Sequence, residues 1–238
     1  MPQASRYVKS VKAITSLKSR DPSIILSSRE KKLEPTVAML RIWQSERLKK
    51  THADILNNPR YSAACNFFLD EIYGASDFSQ RDNDLEYLYD VMSSVLPNFL
   101  LSLVRNTIDL NYLTNELDDQ LLSVIVNDLQ SADKITPQIY TEAYRLCDNY
   151  DQRVRQIDLL IEIGRQVDFG TKIPFISTTL RLARGPSHRA GWGDVHDFLE
   201  NGYNSFKKIG GAKKFLAVIE KREKRILDRI YEGDENPF

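Results

Sequence analysis

A short segment rich in arginine and glycine has the residue types best suited to binding an anion. Residues 184–193 contain two arginines, one histidine, one tryptophan and three glycines. Arginine offers a planar fork of donors to a carboxylate or phosphate, and glycine exposes backbone amides at the start of a following helix. This composition predicts a loop in which Arg184, His188 and Arg189 bind an anion. The alternative is an ordinary loop between two helices that Trp192 anchors to the core.

A second polar cluster combines an aromatic residue, a cation and two carboxylates. Its members are Tyr73, Asp77, Arg81 and Asp82. Their spacing, with a glycine directly after Tyr73, predicts a tight corner between two helices, in which Asp77 or Ser79 caps the second helix. Arg81 then pairs with an acid or with a carbonyl at the end of the first helix. The corner is either purely structural or, with its four side chains together, a candidate site.

Motifs for metal binding and nucleophilic catalysis are missing or incomplete. None of His52, His188 and His196 has an acidic residue three positions earlier, as a di-iron bundle requires. The lysines before His52 favour a surface or capping position for it, and a packing role is expected for His196. Cys65 and Cys147 lie among apolar residues at helical spacing and are expected to be core thiols. We predict no metal and no cofactor, and the sequence assigns no catalytic residue, which weighs against an enzyme.

Composition limits the class of protein. The chain has 238 residues, 42% of them hydrophobic and 28% charged, as in ordinary globular domains. Its apolar runs are too short for a membrane-spanning helix, and two cysteines without a CxxC pair exclude a disulfide framework. The formal net charge is +0, whereas a nucleic-acid-binding domain is usually basic. These features predict a cytoplasmic protein that neither spans a membrane nor binds nucleic acid.

Charge is unevenly distributed along the chain. Residues 1–20 carry five bases and no acid, a sum of +5, whereas residues 66–131 carry twelve acids and two bases, a sum of −10. One interpretation is a set of solvated faces that attract one another weakly within the fold. The other is contact between opposite patches of two molecules, which predicts a homodimer or a protein partner.

The spacing of apolar residues predicts helices almost throughout. Residues 34–56 form one amphipathic stretch, and Thr136 followed by a proline has the form of a helix start. A further helix is expected to start at Thr114, and Gly210-Gly211 is expected to form a turn between the last two helices. The pattern predicts an all-α, single-domain bundle of about ten helices. We place a basic N-terminal arm at residues 1–20, the domain at residues 21–232 and a flexible tail at residues 233–238.

Two groups of motifs resemble a family of uncharacterised all-helical proteins from Gram-negative bacteria. The first reads W-Q-x-x-R-L from Trp43, followed by F-F-L-x-x-x-Y-G-x-x-D-F-x-x-R-D-x-D-L from Phe67. The second consists of F-L-E-x-G from Phe198 and I-x-x-R-E from Ile219. The resemblance spans residues 35–230 and implies a single domain in a bacterial cytosol, and no known activity comes with it.

Two functions from different classes follow. The first is a noncatalytic interaction or regulatory module, expected as a homodimer or with a protein partner. The alternative is a bundle with an internal pocket for a small molecule or cofactor, such as a ligand-binding protein or a haem-oxygenase-like enzyme. A pocket of about 300 Å³ or more with converging polar groups favours the alternative, and a filled core with an exposed apolar patch favours the first.

Overall fold

A computed structural model describes residues 34–71 and 98–238 of the chain. Within these ranges it contains nine α-helices, one π-helical segment and no strand, which confirms the predicted all-α bundle. The helices are α1 (Pro35–Thr51), α2 (Ala53–Leu56), α3 (Ser62–Glu71), α4 (Asn98–Ser123), the π-helix (Val124–Asp128), α5 (Pro137–Cys147), α6 (Tyr150–Thr171), α7 (Ile176–Arg189), α8 (Gly193–Ile209) and α9 (Lys213–Tyr231). The predicted basic arm and the corner of Tyr73, Asp77, Arg81 and Asp82 lie outside the described residues.

Local sequence explains where several helices begin and end. The side chain of Thr136 accepts a hydrogen bond from the backbone of Ile139, and the following proline occupies the first turn of α5. Gly210 ends α8 with a φ of 65°, a left-handed conformation that glycine adopts without steric cost. Both boundaries are those that the sequence predicted.

The long helix α4 joins two helices that the sequence analysis separated. Thr114 was expected to start a new helix, but Asn98–Ser123 is continuous. No glycine or proline interrupts this stretch, so the backbone has no reason to leave the helical conformation. The Thr114 hydroxyl instead accepts a hydrogen bond from Nε2 of Gln156 on α6, at 2.9 Å.

The predicted loop at residues 184–193 is wrong over most of its length. Helix α7 continues to Arg189 and contains Pro186 in its interior. The carbonyl of Pro186 accepts from the backbone of Ala190 at 3.0 Å, so the helix continues past the proline. Ala183 and Ser187 are buried and pack this part of α7 against the bundle, and only a short turn separates α7 from α8. Tertiary packing therefore overrides the local preference of Gly-Pro for a turn.

The helices pack around two groups of buried apolar residues. Helix α6 contacts α4, α7, α8 and α9, so it is shared by much of the bundle. The first group draws on α1, α4, α5 and α9, and the second on α2, α3, α6, α8 and α9. Among the described helices, none combines the length and the apolar character that crossing a bilayer requires.

The last residues of the chain contact the first apolar group. Phe238 lies 5.7 Å from the ring of Trp43 and 6.2 Å from the ring of Tyr140, measured between centroids. Arg229 donates to Oδ2 of Asp234 at 2.8 Å and to the carbonyl of Pro237 at 3.0 Å. These contacts involve residues 233–238, whose predicted flexibility stays a prediction.

Candidate functional site

A cavity of about 110 Å³ lies between the two apolar groups, with residues of both in its wall. Much of the wall is apolar, but one part is not. The polar residues are Gln44, Arg47, Lys49, His52, Asp118, Tyr140, Tyr144, Arg153, Gln156 and Glu223. Polar groups are costly to bury unless they are paired, so their convergence on one cavity marks the candidate functional site.

The first polar group in the wall connects α1 to α9. Arg47 donates from Nη1 to both carboxylate oxygens of Glu223, at 2.8 and 2.6 Å. His52 donates from Nε2 to the same carboxylate at 2.7 Å, and its Nδ1 lies 3.5 Å from Nη1 of Arg222. Arg222 also holds Asp54 through contacts of 2.7 and 3.0 Å. Charged side chains thereby join α1, α2 and α9.

The Glu223 carboxylate is ionised although it is buried. Burial alone would raise the pKa of Glu223, but the charge of Arg47 and the hydrogen bond from His52 outweigh it and lower the pKa to about 2. Burial likewise opposes the charge of Arg47, but the Glu223 carboxylate outweighs it and raises the pKa of Arg47 above its ordinary value. Both side chains are therefore charged, and their opposite charges nearly cancel.

The second polar group joins α1, α4 and α5. Gln44 donates from Nε2 to Oδ1 of Asp118 at 3.0 Å. Burial raises the pKa of Asp118, and the Gln44 hydrogen bond and the charge of Arg153 offset only part of that effect. Tyr140 donates to the hydroxyl oxygen of Tyr144 at 2.9 Å. This bond uses one of the two hydroxyl protons, so the other is available to a further acceptor.

Arg153, in the first turn of α6, is a buried cation whose hydrogen-bond partners are all neutral. Its exposed fraction is 3%. Nη2 donates to the carbonyl of Leu117 at 3.0 Å, and Nη1 donates to Oε1 of Gln156 at 3.3 Å. The guanidinium carbon lies 4.3 Å from the centroid of the Tyr144 ring, within cation–π distance. Among the described residues, no carboxylate lies within ion-pair distance of Arg153.

Two guanidinium Nε–H groups in this wall lack an acceptor among the described residues, those of Arg47 and Arg153. A buried donor without a partner costs about 1 to 3 kcal/mol, and more when it is charged. Such groups are uncommon and indicate a role for a ligand or an ordered water. Because the Glu223 carboxylate offsets the charge of Arg47, and no described carboxylate lies within ion-pair distance of Arg153, this part of the wall favours a bound negative charge.

Apolar side chains form the remaining wall. They include Phe68, Leu160, Ile161, Phe215 and Leu216. Cys65 lies in the same wall, and burial, with a smaller contribution from the charge of Asp54, raises the pKa of its thiol to about 11. A thiol with this pKa is protonated at neutral pH and is a poor nucleophile, in agreement with the predicted core role of Cys65.

The residues expected to bind an anion lie outside this cavity. Nη1 of Arg184 is 3.6 Å from Oε2 of Glu200, and Nε2 of His188 is 2.9 Å from Oδ1 of Asp197. Arg189 is exposed at the end of α7. An anion site there stays a prediction, but two of its three side chains face carboxylates of α8. Trp192, expected to anchor this region, is 5% exposed.

His52 is buried, contrary to the predicted surface position. It does cap α1, because its backbone amide donates to the carbonyl of Leu48 at 2.9 Å. However, its side chain is 10% exposed and points at Glu223. The adjacent lysines suggested solvent, but the helix axis breaks at His52, and this break directs the imidazole inward between α1 and α9.

No motif identifies the cavity residues, because they are single polar residues at core positions of their helices. Arg153 precedes Ile157 by four residues and Ile161 by eight, so it lies on the buried stripe of α6. Glu223 follows Ile219 by four residues and precedes Ile226 by three, on the buried stripe of α9. Arg153 and Glu223 can each be identified in the sequence as a charged residue that occupies a position of the buried apolar stripe.

Residues 25–237 match a family described as a domain of unknown function, DUF8198, and the chain is a member of it. The match covers most of the chain and agrees with the resemblance to an uncharacterised helical family. Comparison with curated proteins and with solved structures gave no match.

Proposed function

We propose that this domain is a noncatalytic ligand-binding module whose cavity takes a small carboxylate. The observation that carries the proposal is Arg153, a buried guanidinium with only neutral partners and with an Nε–H that has no acceptor. A carboxylate accepts from Arg153 and from the free tyrosine hydroxyl proton together. It thereby removes the cost of an unpaired donor and of an uncompensated buried charge.

The size of the cavity limits the ligand. A volume of about 110 Å³ is smaller than the roughly 150 Å³ of an engineered cavity that binds benzene. It is also below the roughly 300 Å³ at which pockets for larger molecules begin, so a haem does not fit within it. A ligand of about six non-hydrogen atoms does, with its carboxylate towards Arg153 and a short alkyl tail against Phe68 and Phe215.

A binding role suits the wall better than a catalytic one. The Glu223 carboxylate accepts from both Arg47 and His52, which occupies it as a base. The thiol of Cys65 is protonated at neutral pH because its pKa is raised to about 11. The groups in reach of a ligand are therefore donors that hold it and not groups that attack it. We place this function in the bacterial cytosol, as the sequence predicts.

Butyrate tests the proposal, with butyramide as its neutral counterpart of the same shape. At matched ionic strength, butyrate should raise the melting temperature of the full chain by mass action and butyramide should not. Arg153→Gln should abolish the butyrate effect. Arg155→Gln removes the same charge from an exposed site two residues along α6 and should leave it unchanged.

A second variant separates lost binding from lost folding. Asp118→Asn retains an oxygen that accepts the hydrogen bond from Gln44. It removes the negative charge of Asp118, which repels the carboxylate of the proposed ligand. It should tighten butyrate binding at pH 7 by several-fold, measured by calorimetry. The proposal is wrong if butyrate has no effect on the wild type, or if Asp118→Asn weakens binding.

A protein-interaction module is the second candidate, and Phe175 is the observation that favours it. This residue is 69% exposed and has a φ of 73°, a left-handed conformation that costs a bulky residue roughly 1 to 2 kcal/mol. Strain of this kind is retained where a side chain has a role at the surface. If Phe175 lies in a homodimer interface, sedimentation should show a dimer in the wild type and a monomer in Phe175→Asn.

A further inference from the structure

Two histidines and an aspartate meet where α7 turns into α8. Nε2 of His188 lies 2.9 Å from Oδ1 of Asp197, and Nδ1 of His196 lies 3.6 Å from the same oxygen. One potential ligand atom from each of the three residues lies within 4.8 Å of the other two. None of these residues lines the cavity described above. The sequence predicted no metal, because neither His188 nor His196 belongs to a Glu-x-x-His pair.

The hydrogen bonding of His196 leaves it in the form that binds a metal. Its Nε2 lies 2.8 Å from the carbonyl of Leu180, which only accepts, so Nε2 carries the proton and donates. Nδ1 therefore presents a lone pair, and it is buried without a hydrogen-bond partner among the described residues. A histidine that donates one ring N–H to a backbone carbonyl and binds a metal through the other nitrogen is the usual arrangement in metal sites.

The groups around Nδ1 of His196 favour the binding of a cation. Besides the Asp197 oxygen at 3.6 Å, Oε2 of Glu200 lies 4.0 Å away. The lone pair of Nδ1 thus faces two carboxylates without a hydrogen bond to either, and Oε2 of Glu200 also lies 3.6 Å from Nη1 of Arg184. The side chain of His196 is 5% exposed, so water has little access to reduce this repulsion. A divalent ion bound between Nδ1 and the two carboxylates attracts all three groups and so replaces this repulsion.

The distances suit tetrahedral zinc. Bonds of about 2.0 to 2.1 Å at tetrahedral angles separate neighbouring ligand atoms by roughly 3.3 Å. The two donor separations that involve Asp197, 2.9 and 3.6 Å, lie on either side of this value.

Gly193 fixes the position of the exposed histidine. A Cβ at residue 193 would lie 2.9 Å from Nδ1 and 3.1 Å from Cε1 of His188. The His188 ring therefore rests against the backbone at the start of α8, with its Nε2 directed at Asp197. This contact reduces the conformational freedom that an exposed side chain would lose on binding a metal.

We propose that His188, His196 and Asp197 form a binding site for a divalent transition metal of the zinc class. Nε2 of His188, Nδ1 of His196 and Oδ1 of Asp197 supply three ligands, and Glu200 or water completes the set. Binding replaces the hydrogen bond between His188 and Asp197, and the displaced proton moves to Nδ1 of His188 or to solvent. Two imidazoles and a carboxylate are ligands that suit zinc better than calcium or magnesium.

Zinc chloride added to the full chain, after dialysis against a chelator, tests the site by calorimetry. The wild type should bind one equivalent. His188→Gln and Asp197→Asn change partly exposed side chains, and each should weaken binding by about tenfold or more. Asp194→Asn removes the same charge from an exposed position of α8 and should bind as the wild type does.

Nitrogen NMR of the histidine rings distinguishes this site from zinc bound elsewhere. Zinc should shift the Nδ1 resonance of His196 and the Nε2 resonance of His188, and leave those of His52 in place. The site is ruled out if the wild type takes up no zinc, or if zinc binds equally well to His188→Gln. Neither result bears on butyrate binding in the cavity, because the two sites share no residue.

Discussion

At the residue scale, Glu223 and Asp118 show how two carboxylates in one wall acquire opposite properties. Each is buried, and burial alone would raise the pKa of each. Glu223 faces the charged guanidinium of Arg47 and accepts a hydrogen bond from His52, so its pKa falls to about 2. Asp118 accepts from the neutral amide of Gln44, which is too weak to offset burial, so its pKa is raised. The nearest partner therefore decides the direction of the shift.

Acid should unfold the protein partly through Glu223. A folded pKa of about 2, below the ordinary value of 4.5, means that the ionised form stabilises the fold. This stability is complete above pH 4.5 and is lost as the pH falls towards 2, a total of roughly 3 kcal/mol. Denaturant titrations of wild type and Glu223→Gln should therefore differ by about this amount at pH 7 and converge near pH 2. The exposed Glu232→Gln should follow the wild type throughout.

Asp118→Asn should stabilise the fold at neutral pH. Because the folded pKa of Asp118 is raised, its ionised form opposes folding at high pH, and this cost disappears as the pH falls through the raised pKa. Asparagine keeps the acceptor for Gln44 without the charge. We expect a gain of about 1 to 2 kcal/mol at pH 7 that shrinks in acid. A loss of stability at pH 7 would show that Asp118 is needed as an anion beside Arg153.

At the scale of elements, α6 and α9 pack closely because α6 has a glycine at their contact. A Cβ at residue 164 would lie 2.5 Å from Cδ2 of Leu216, a separation that the core cannot accept without movement. Leu216 is 3% exposed and belongs to the second apolar group, so it has little room to move. The close approach of these two helices brings Arg153 and Glu223 into one wall.

Gly164→Ala should destabilise the protein by about 1 to 3 kcal/mol through overpacking, although alanine is the better helix former. Gly170→Ala, in the same helix, is the matched control. Its Cβ would meet only Cε2 of Phe99, at an ordinary 3.9 Å. This second change should be neutral or stabilise by up to about 1 kcal/mol. Equal effects of the two substitutions in thermal melts would contradict the proposed packing role of Gly164.

At the scale of the whole molecule, two bases of α9 pair with acids of other helices. Lys224 lies 2.6 Å from Asp158 of α6, and Arg222 lies 2.7 Å from Asp54 of α2. These pairs involve no acid of residues 66–131, so the interpretation of the uneven charge stays a prediction. They are largely exposed, so each contributes at most about 1 kcal/mol. Buried apolar area and the cavity network, more than surface charge, hold the bundle together.

Removal of residues 234–238 should reduce stability and open the cavity. Phe238 lines the cavity and packs on Trp43 and Tyr140, and each aromatic contact contributes about 0.5 to 1.5 kcal/mol beyond its buried area. We expect the truncated chain to lose about 1 to 3 kcal/mol in denaturant titrations. Glu235→Ala, in an exposed position of the same segment, should have no effect. An unchanged midpoint in the truncated chain would support the predicted flexible tail instead.

The sequence by itself determined the fold class and several helix boundaries. Apolar spacing near 3.6 residues is a local property, and so is the cap formed by Thr136 and its proline. Predictions from these local patterns hold in the folded protein because the groups involved lie within one or two helical turns of each other. Cys65 was likewise placed in the core by its apolar neighbours alone. The continuation of α7 past Pro186 was not predicted, since packing on α8 outweighed a local turn preference.

Only the tertiary structure decided which charged side chains meet. Arg47 and Glu223 are 176 positions apart, and His188 reaches Asp197 only because α7 turns back onto α8. Spacing within one helix shows that a polar residue faces the core, but it does not show what that residue faces there. The burial and the partner that set the pKa of Glu223 and leave Arg153 without a carboxylate arise from packing between helices. For this reason the cavity and the histidine cluster were found in the structure and not in the sequence.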